Sequence, residues 1–154
     1  MAAGAFIFPD KAKLNFFNST GLLAANPANF KLALVTSADT PDNANDEVWA
    51  DVSANEIAAG NGYTAGGFAL TGVSLTQTGG VVKFTAAPAI WTASGGNIPA
   101  WRRGWVYYNG TLNGKVNPVV GHFLGDATPA DVPATTDGND LTITPHANGI
   151  LTAA

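Results

Sequence analysis

The chain has 154 residues, 46% of them hydrophobic and 12% charged, with a net charge of −4 and no cysteine. That length suits one domain able to bury a core without metal or disulfide, and the missing thiols exclude disulfide and thiolate chemistry. The acidic balance, with Arg102-Arg103 as its only adjacent basic pair, lacks the footprint of a nucleic-acid binder, and no apolar run approaches the ~20 residues of a membrane span.

Residues 1–29 read as an extended arm followed by a short helix, and residues 30–154 as the β domain, the two forming one globular unit. Met1 to Phe8 is apolar but short, lacks a basic leader and runs into Pro9-Asp10, so it does not read as a signal peptide. Phe8 precedes a proline, which favours an extended backbone. Pro9 to Thr20 carries helix signals: Pro at the start, Asp10 in the first turn and Gly21 placed to end it. Such a helix either covers one end of the domain's own core or clips onto a neighbouring molecule.

From Phe30 onward the pattern has period two. Phe30 to Thr36 predicts a strand with Phe30, Leu32 and Leu34 on one face. Ser37 to Glu47 is a polar loop, and Val48 to Val52 reads as a short edge strand. Phe68 and Leu70 share one phase and Val73 and Leu75 the other, which places a bulge at Gly72. Gly79-Gly80 predicts a hairpin into Val81 to Phe84. Ala89 to Ala93 is a further strand. Trp101 to Tyr108 is the most aromatic one, with a turn signal at Asn109-Gly110 and Pro118 to Leu124 as its partner. Asp126 to Asp140 reads as a solvated loop, and Leu141 to Thr144 and Ile150 to Thr152 close the fold around Asn148-Gly149. Many short strands separated by Gly/Asn turns predict an all-β fold, an antiparallel β-sandwich or jelly roll with one short N-terminal helix.

Little in the chain points to chemistry. The two histidines are His122, inside the apolar run Val119 to Leu124, and His146, next to a turn. Neither comes with a nucleophile or a zinc-ligand motif, so no catalytic residue is expected. Glu47 and Glu56, with Asp46 and Asp51 nearby, lack the paired arrangement of a glycosidase. The Asp39 to Glu47 loop and the Asp137 to Asp140 run are rich in oxygen ligands that suit Ca²⁺, yet turn chemistry accounts for the same residues. No metal site and no cofactor is expected.

On a strand, Trp101, Arg103, Trp105 and Tyr107 would share one face, and Arg102, Gly104, Val106 and Tyr108 the other. Either one face fills the core and the other offers aromatics and arginine to a partner, or both faces are covered within the chain as for a central strand. The candidate interface residues are Phe6, Ile7 and Phe8 of the arm, with Trp101, Arg102, Arg103 and Trp105.

Glu56 is followed at a fixed distance by Gly62-Tyr63-Thr64-Ala65-Gly66-Gly67 and then by Phe68-Ala69-Leu70-Thr71. This string resembles a family of small structural proteins of tailed-bacteriophage virions, of the capsid decoration or cement kind. The Phe30 to Ser37 strand, Trp91-Thr92-Ala93, the Arg102 to Tyr108 strand, Leu141 to Thr144 and the Asn148 to Leu151 turn fit the same family in order. The resemblance implies a non-enzymatic component made in the host cytoplasm and built into the virion. Its partners would be other virion proteins such as the major capsid protein, and copies of itself as a homo-oligomer. The alternative is a tail or fibre component that touches host carbohydrate. A surface poor in charge and rich in Thr and Asn agrees with packing against copies or partners.

Overall fold

The computed structural model describes residues 4–7, 9, 27–78, 81–128, 130–147 and 149–153. Among them the fold is all-β, every strand pair is antiparallel, and the helical content is one short α-helical segment and 3-10 turns, one of them at Pro27–Asn29. A five-stranded sheet lies at the centre. Its strands, in order across the sheet, are Phe6–Ile7 (β1), Val119–Leu124 (β10), Arg103–Tyr108 (β7), Phe30–Val35 (β2) and Phe68–Ala69 (β3). A three-stranded sheet joins Leu151–Ala153 (β12), Val81–Thr85 (β5) and Ser74–Thr78 (β4). Asp140–Ile143 (β11) pairs with Ala89–Thr92 (β6), and Thr111–Leu112 (β8) with Lys115–Val116 (β9). These pairings define antiparallel β architecture. They do not by themselves join the strands into the two continuous sheets of a sandwich or jelly roll.

The central sheet is covered on both faces, which explains why β2, β7 and β10 read as nearly continuous apolar runs. On one face Phe30, Leu32, Leu34, Val106, Tyr108, Val120 and Phe123 pack with Tyr63, Phe84, Trp91 and Leu141 contributed by the smaller sheets and loops. On the other, Ala33, Val35, Trp105, Tyr107 and Val119 pack with Trp49 and Val52. Small side chains in β2 on this second face leave room for the Trp49 ring, which stacks on Tyr107 at 4.9 Å and 4°.

Trp49 and Val52 belong to a single α-turn, Trp49–Val52 (α1), continued by a 3-10 turn at Ser53–Asn55. The edge strand expected over Val48 to Val52 is therefore helical. Asp51 decides this: its Oδ2 accepts the backbone N–H groups of Glu47 and Val48, each at 3.0 Å, which satisfies donors that a helix start leaves open. The three-residue spacing then turns Trp49 and Val52 onto the same side.

Other expectations change in detail. Gly72 is not a bulge within one strand but a bend between β3 and β4, where the chain leaves one sheet for another with φ +58. The strands expected on either side of Gly79-Gly80 pair antiparallel, with Thr78 opposite Val81, while the two glycines lie outside the described residues. Asn109-Gly110 does not reverse the chain alone, since the β8–β9 hairpin intervenes, turning at Asn113 and Gly114 with φ 51 and 74. The Asp126 to Asp140 segment is not wholly solvated: Val132 is buried, and bridges link it to Trp101 and Thr135 to Ile98. Of the expected Pro9 to Thr20 helix, Pro9 is buried and residues 10–20 lie outside the described residues.

Candidate functional site

Glu56 to Gly67, the segment that carries the sequence resemblance, folds as a plug against β2. Gly60 and Tyr63 exchange backbone hydrogen bonds at 2.8 and 2.9 Å around Asn61 and Gly62, both with positive φ. This turn drives the Tyr63 ring inward, where it is buried and stacks on Trp91 at 5.9 Å. The central ladder gives the reason for a tyrosine here. β3 pairs with β2 only at Lys31 and Leu32, so the Leu34 N–H has no strand opposite it. The Tyr63 hydroxyl accepts that N–H at 3.0 Å and donates to Glu56 Oε1 at 2.8 Å. The same carboxylate oxygen accepts the Gly66 N–H at 2.7 Å, and the Tyr107 hydroxyl donates to the Gly66 carbonyl at 2.7 Å.

Burial, reinforced by the Glu56 charge, pushes the Tyr63 phenol well above the usual tyrosine range and that of Tyr107 up to about 12. Both phenols therefore remain donors at any physiological pH. Gly67 has φ +78, and a Cβ there would overlap the Leu32 carbonyl oxygen. The final glycine of the string is thus required by close approach of two backbones. The Glu56, Asn61 and Tyr63 side chains of this plug all bond to the chain itself.

The expected interface residues are placed as follows. Phe6 and Ile7 form β1, paired with Phe123 and His122 of β10, so the arm joins its own sheet rather than standing free. Phe6 and Ile7, named above as candidates for contact with a partner, are thus paired within the chain. Phe6 packs on the core, while Ile7 is 39% exposed, and Phe8 lies outside the described residues. Trp101 and Trp105 are 2% and 0% exposed, which removes both from the set able to meet a partner. They also face opposite sides of the sheet, Trp101 with Val106 and Tyr108, Trp105 with Tyr107. The alternation fails because β7 begins only at Arg103; Trp101 is held instead by a bridge to Val132, and Arg102 occupies a bend. Both faces of β7 are internal, the central-strand reading. Arg102 Nε contacts Asp131 Oδ1 at 2.7 Å near the surface, and Arg103 Nη1 donates to the Asp39 carbonyl at 2.6 Å.

Several of the polar residues weighed for chemistry bond within their own turns and edges. Asp42 Oδ1 accepts the N–H groups of Ala44 and Asn45, its Oδ2 the Asn45 amide, and Asp46 Oδ2 the Asp42 N–H. Those bonds, led by the one from the Asn45 side chain, hold the Asp42 carboxyl below its usual range. Asp140 Oδ1 accepts the Thr92 hydroxyl at 2.6 Å. This is turn and edge chemistry, and no group of three or more His, Cys, Asp or Glu gathers for a metal among the described residues.

Sequence reading missed one polar group. On the α1 face of the sheet, Trp105 Nε1 donates to Asp39 Oδ2 at 3.1 Å, and His122 Nε2 lies 3.1 Å from Asn43 Oδ1. Asp39 and His122 are each 2% exposed. Partners separated by 66 and 79 residues leave no local signal; the one hint was a histidine inside an apolar strand.

An apolar cavity of about 580 Å³ lies where Phe6, Leu32, Leu70, Phe123, Ile143 and Ile150 converge, with Thr144 and His146 as polar side chains of its described lining. The exposed large apolar residues, Ile7, Ile90 and Val116, lie on three different sheets. No helix among the described residues is long and apolar enough to cross a membrane. Compared with protein families, curated proteins and solved structures, the chain matches none.

Proposed function

We propose that the chain is a non-enzymatic structural protein of a tailed-bacteriophage virion, one that decorates or cements the capsid shell. The observation that carries this reading is the Glu56 to Gly67 plug. The segment on which the resemblance rests is spent on architecture, with Glu56 and Tyr63 closing the open side of β2. A rigid all-β unit with few charges suits a part held by many repeated contacts, in which weak individual joints add through multivalency. Its partners are the major capsid protein and further copies of the chain. The outer edge of β1, with exposed Ile7, and the surface around Arg102 and Asp131 are the places on the expected interface that remain open to them.

The rival reading, a tail or fibre component that stacks host sugars on its aromatics, is disfavoured by one fact. All four tryptophans are buried, Trp49 at 8%, Trp91 at 4%, Trp101 at 2% and Trp105 at 0% exposure. The test is copy number in purified particles by quantitative mass spectrometry. Hundreds of copies support the shell; a few to a few dozen would move the protein to the tail, and its absence from particles would end the virion reading.

A further inference from the structure

We propose that the Ser37 to Glu47 loop is an acid-released strap, held on the central sheet by a clasp in which His122, Trp105 and Arg103 grip Asn43 and Asp39. The loop joins β2 to α1 and lies across the sheet face that carries Trp105 and Tyr107. Its own side chains contribute little apolar burial. Ala38 and Ala44 are exposed, and Asp39 is the one residue between Ser37 and Glu47 that is buried. What binds its middle to the sheet is polar: Trp105 Nε1 to Asp39 Oδ2, Arg103 Nη1 to the Asp39 carbonyl, and His122 Nε2 to Asn43 Oδ1.

The clasp specifies one protonation state. With Asn43 Oδ1 as acceptor, neutral His122 carries its proton on Nε2. Nδ1 is buried and has no protein partner among the described residues. A second proton must go there. It would create a buried N–H with no acceptor among the described residues, within the field of the Arg103 cation. Opening the strap lets water solvate the imidazolium and moves the loop away.

Among the described residues the charged groups around His122 are few. β7 contributes Arg103, which opposes its protonation. The strap contributes Asp39, reached through Trp105, with Asp42 and Asp46 further along it; α1 contributes Asp51, tied to the N–H groups of Glu47 and Val48. β1, paired beside His122, brings only Phe6 and Ile7. Burial, and then Arg103, lowers the His122 pKa to about 4, so the closed strap rejects a proton that an open one accepts near 6.5. Asp39 works the other way: burial raises its pKa, so its protonation eases the closed state. His122 titrates over the higher part of the range and sets the direction.

The readout is the Trp105 indole N–H, which is buried and bonded to Asp39 in the closed strap. Its hydrogen exchange is followed by NMR on the full chain from pH 7 to pH 4, corrected for intrinsic rate, together with the His122 ring signals. The expected result is an opening constant that rises on the order of twentyfold between pH 7 and pH 5, in step with His122, while β2 and β7 amides stay protected. His122→Gln keeps a donor toward Asn43 and cannot titrate, so its opening should no longer rise as pH falls, and Asp39 can only lower it. Three results would overturn the proposal: an indole N–H that stays closed as His122 protonates, equal opening in the Gln variant, or a His122 that remains neutral until the whole sheet unfolds. Should the variant fail to fold, the co-titration in the unmodified chain decides alone.

Discussion

Replacing Tyr63 by phenylalanine removes one oxygen and leaves the ring in place, so its effect isolates the hydroxyl. That oxygen accepts the Leu34 N–H at 3.0 Å and donates to Glu56 Oε1 at 2.8 Å. Tyr63 is 2% exposed, so water cannot take over either role without opening the plug. An unsatisfied buried N–H costs about 1–3 kcal/mol, and loss of a bond to a charged acceptor adds to this, although Glu56 retains the Gly66 N–H. The expected loss is about 2–3 kcal/mol of unfolding free energy. For a chain of this length that corresponds to a melting temperature lower by roughly 5–10 °C. The assay is urea unfolding by circular dichroism and fluorescence, with Tyr108→Phe as the control. The Tyr108 hydroxyl accepts the Asn29 side-chain amide at 3.2 Å in a half-buried setting, and its loss should cost under about 1 kcal/mol. Equal effects for the two variants, or a Tyr63→Phe loss below about 0.5 kcal/mol, would refute the view that the hydroxyl completes the ladder of β2.

The remaining predictions follow from the same contacts. Deleting residues 2–8 removes a strand that pairs with β10 and a Phe6 side chain that packs on the core, so the isolated chain should lose about 2–4 kcal/mol in thermal or urea unfolding. An unchanged stability would return the arm to a purely intermolecular role. Arg102→Ala breaks a surface ion pair and should cost under about 1 kcal/mol, whereas Arg103→Ala removes the bond to the Asp39 carbonyl and should cost about 1–2 kcal/mol. The reverse order in denaturant titrations would contradict the structure. Global stability should fall as pH drops from 6.5 toward 4, because the unfolded chain takes up a proton that His122 under the closed strap refuses, the full loss applying only while the strap stays shut. The loss is on the order of 2–3 kcal/mol by pH 4, offset in part by Asp39, and His122→Gln should flatten that limb of the curve.

The sequence by itself determined the local features, because these rest on short-range rules. Alternation placed β2, β6, β7, β10 and β11, and paired glycines signalled the hairpin that joins β4 to β5. The special status of Tyr63 and its glycines was visible as well, since only a turn rich in positive φ needs that composition. What the sequence could not supply was anything set by partners far along the chain. Val48 to Val52 has the composition of a strand and becomes helical because the Asp51 carboxylate caps it and the sheet offers Tyr107 for Trp49 to stack on. Trp101 and Trp105 share a phase on paper, yet they end on opposite faces because Val132, 31 residues beyond Trp101, pairs with it and breaks the strand at Arg102. Whether the aromatic strand was central or exposed depended on which sheet faces other segments cover, and a period-two pattern with large side chains in both phases is the same in either case. The clasp of Asp39, Asn43, Trp105 and His122 is the extreme example. Each residue is ordinary where it stands, and only the folded chain brings a buried carboxylate, an indole N–H and a neutral imidazole to one sheet face.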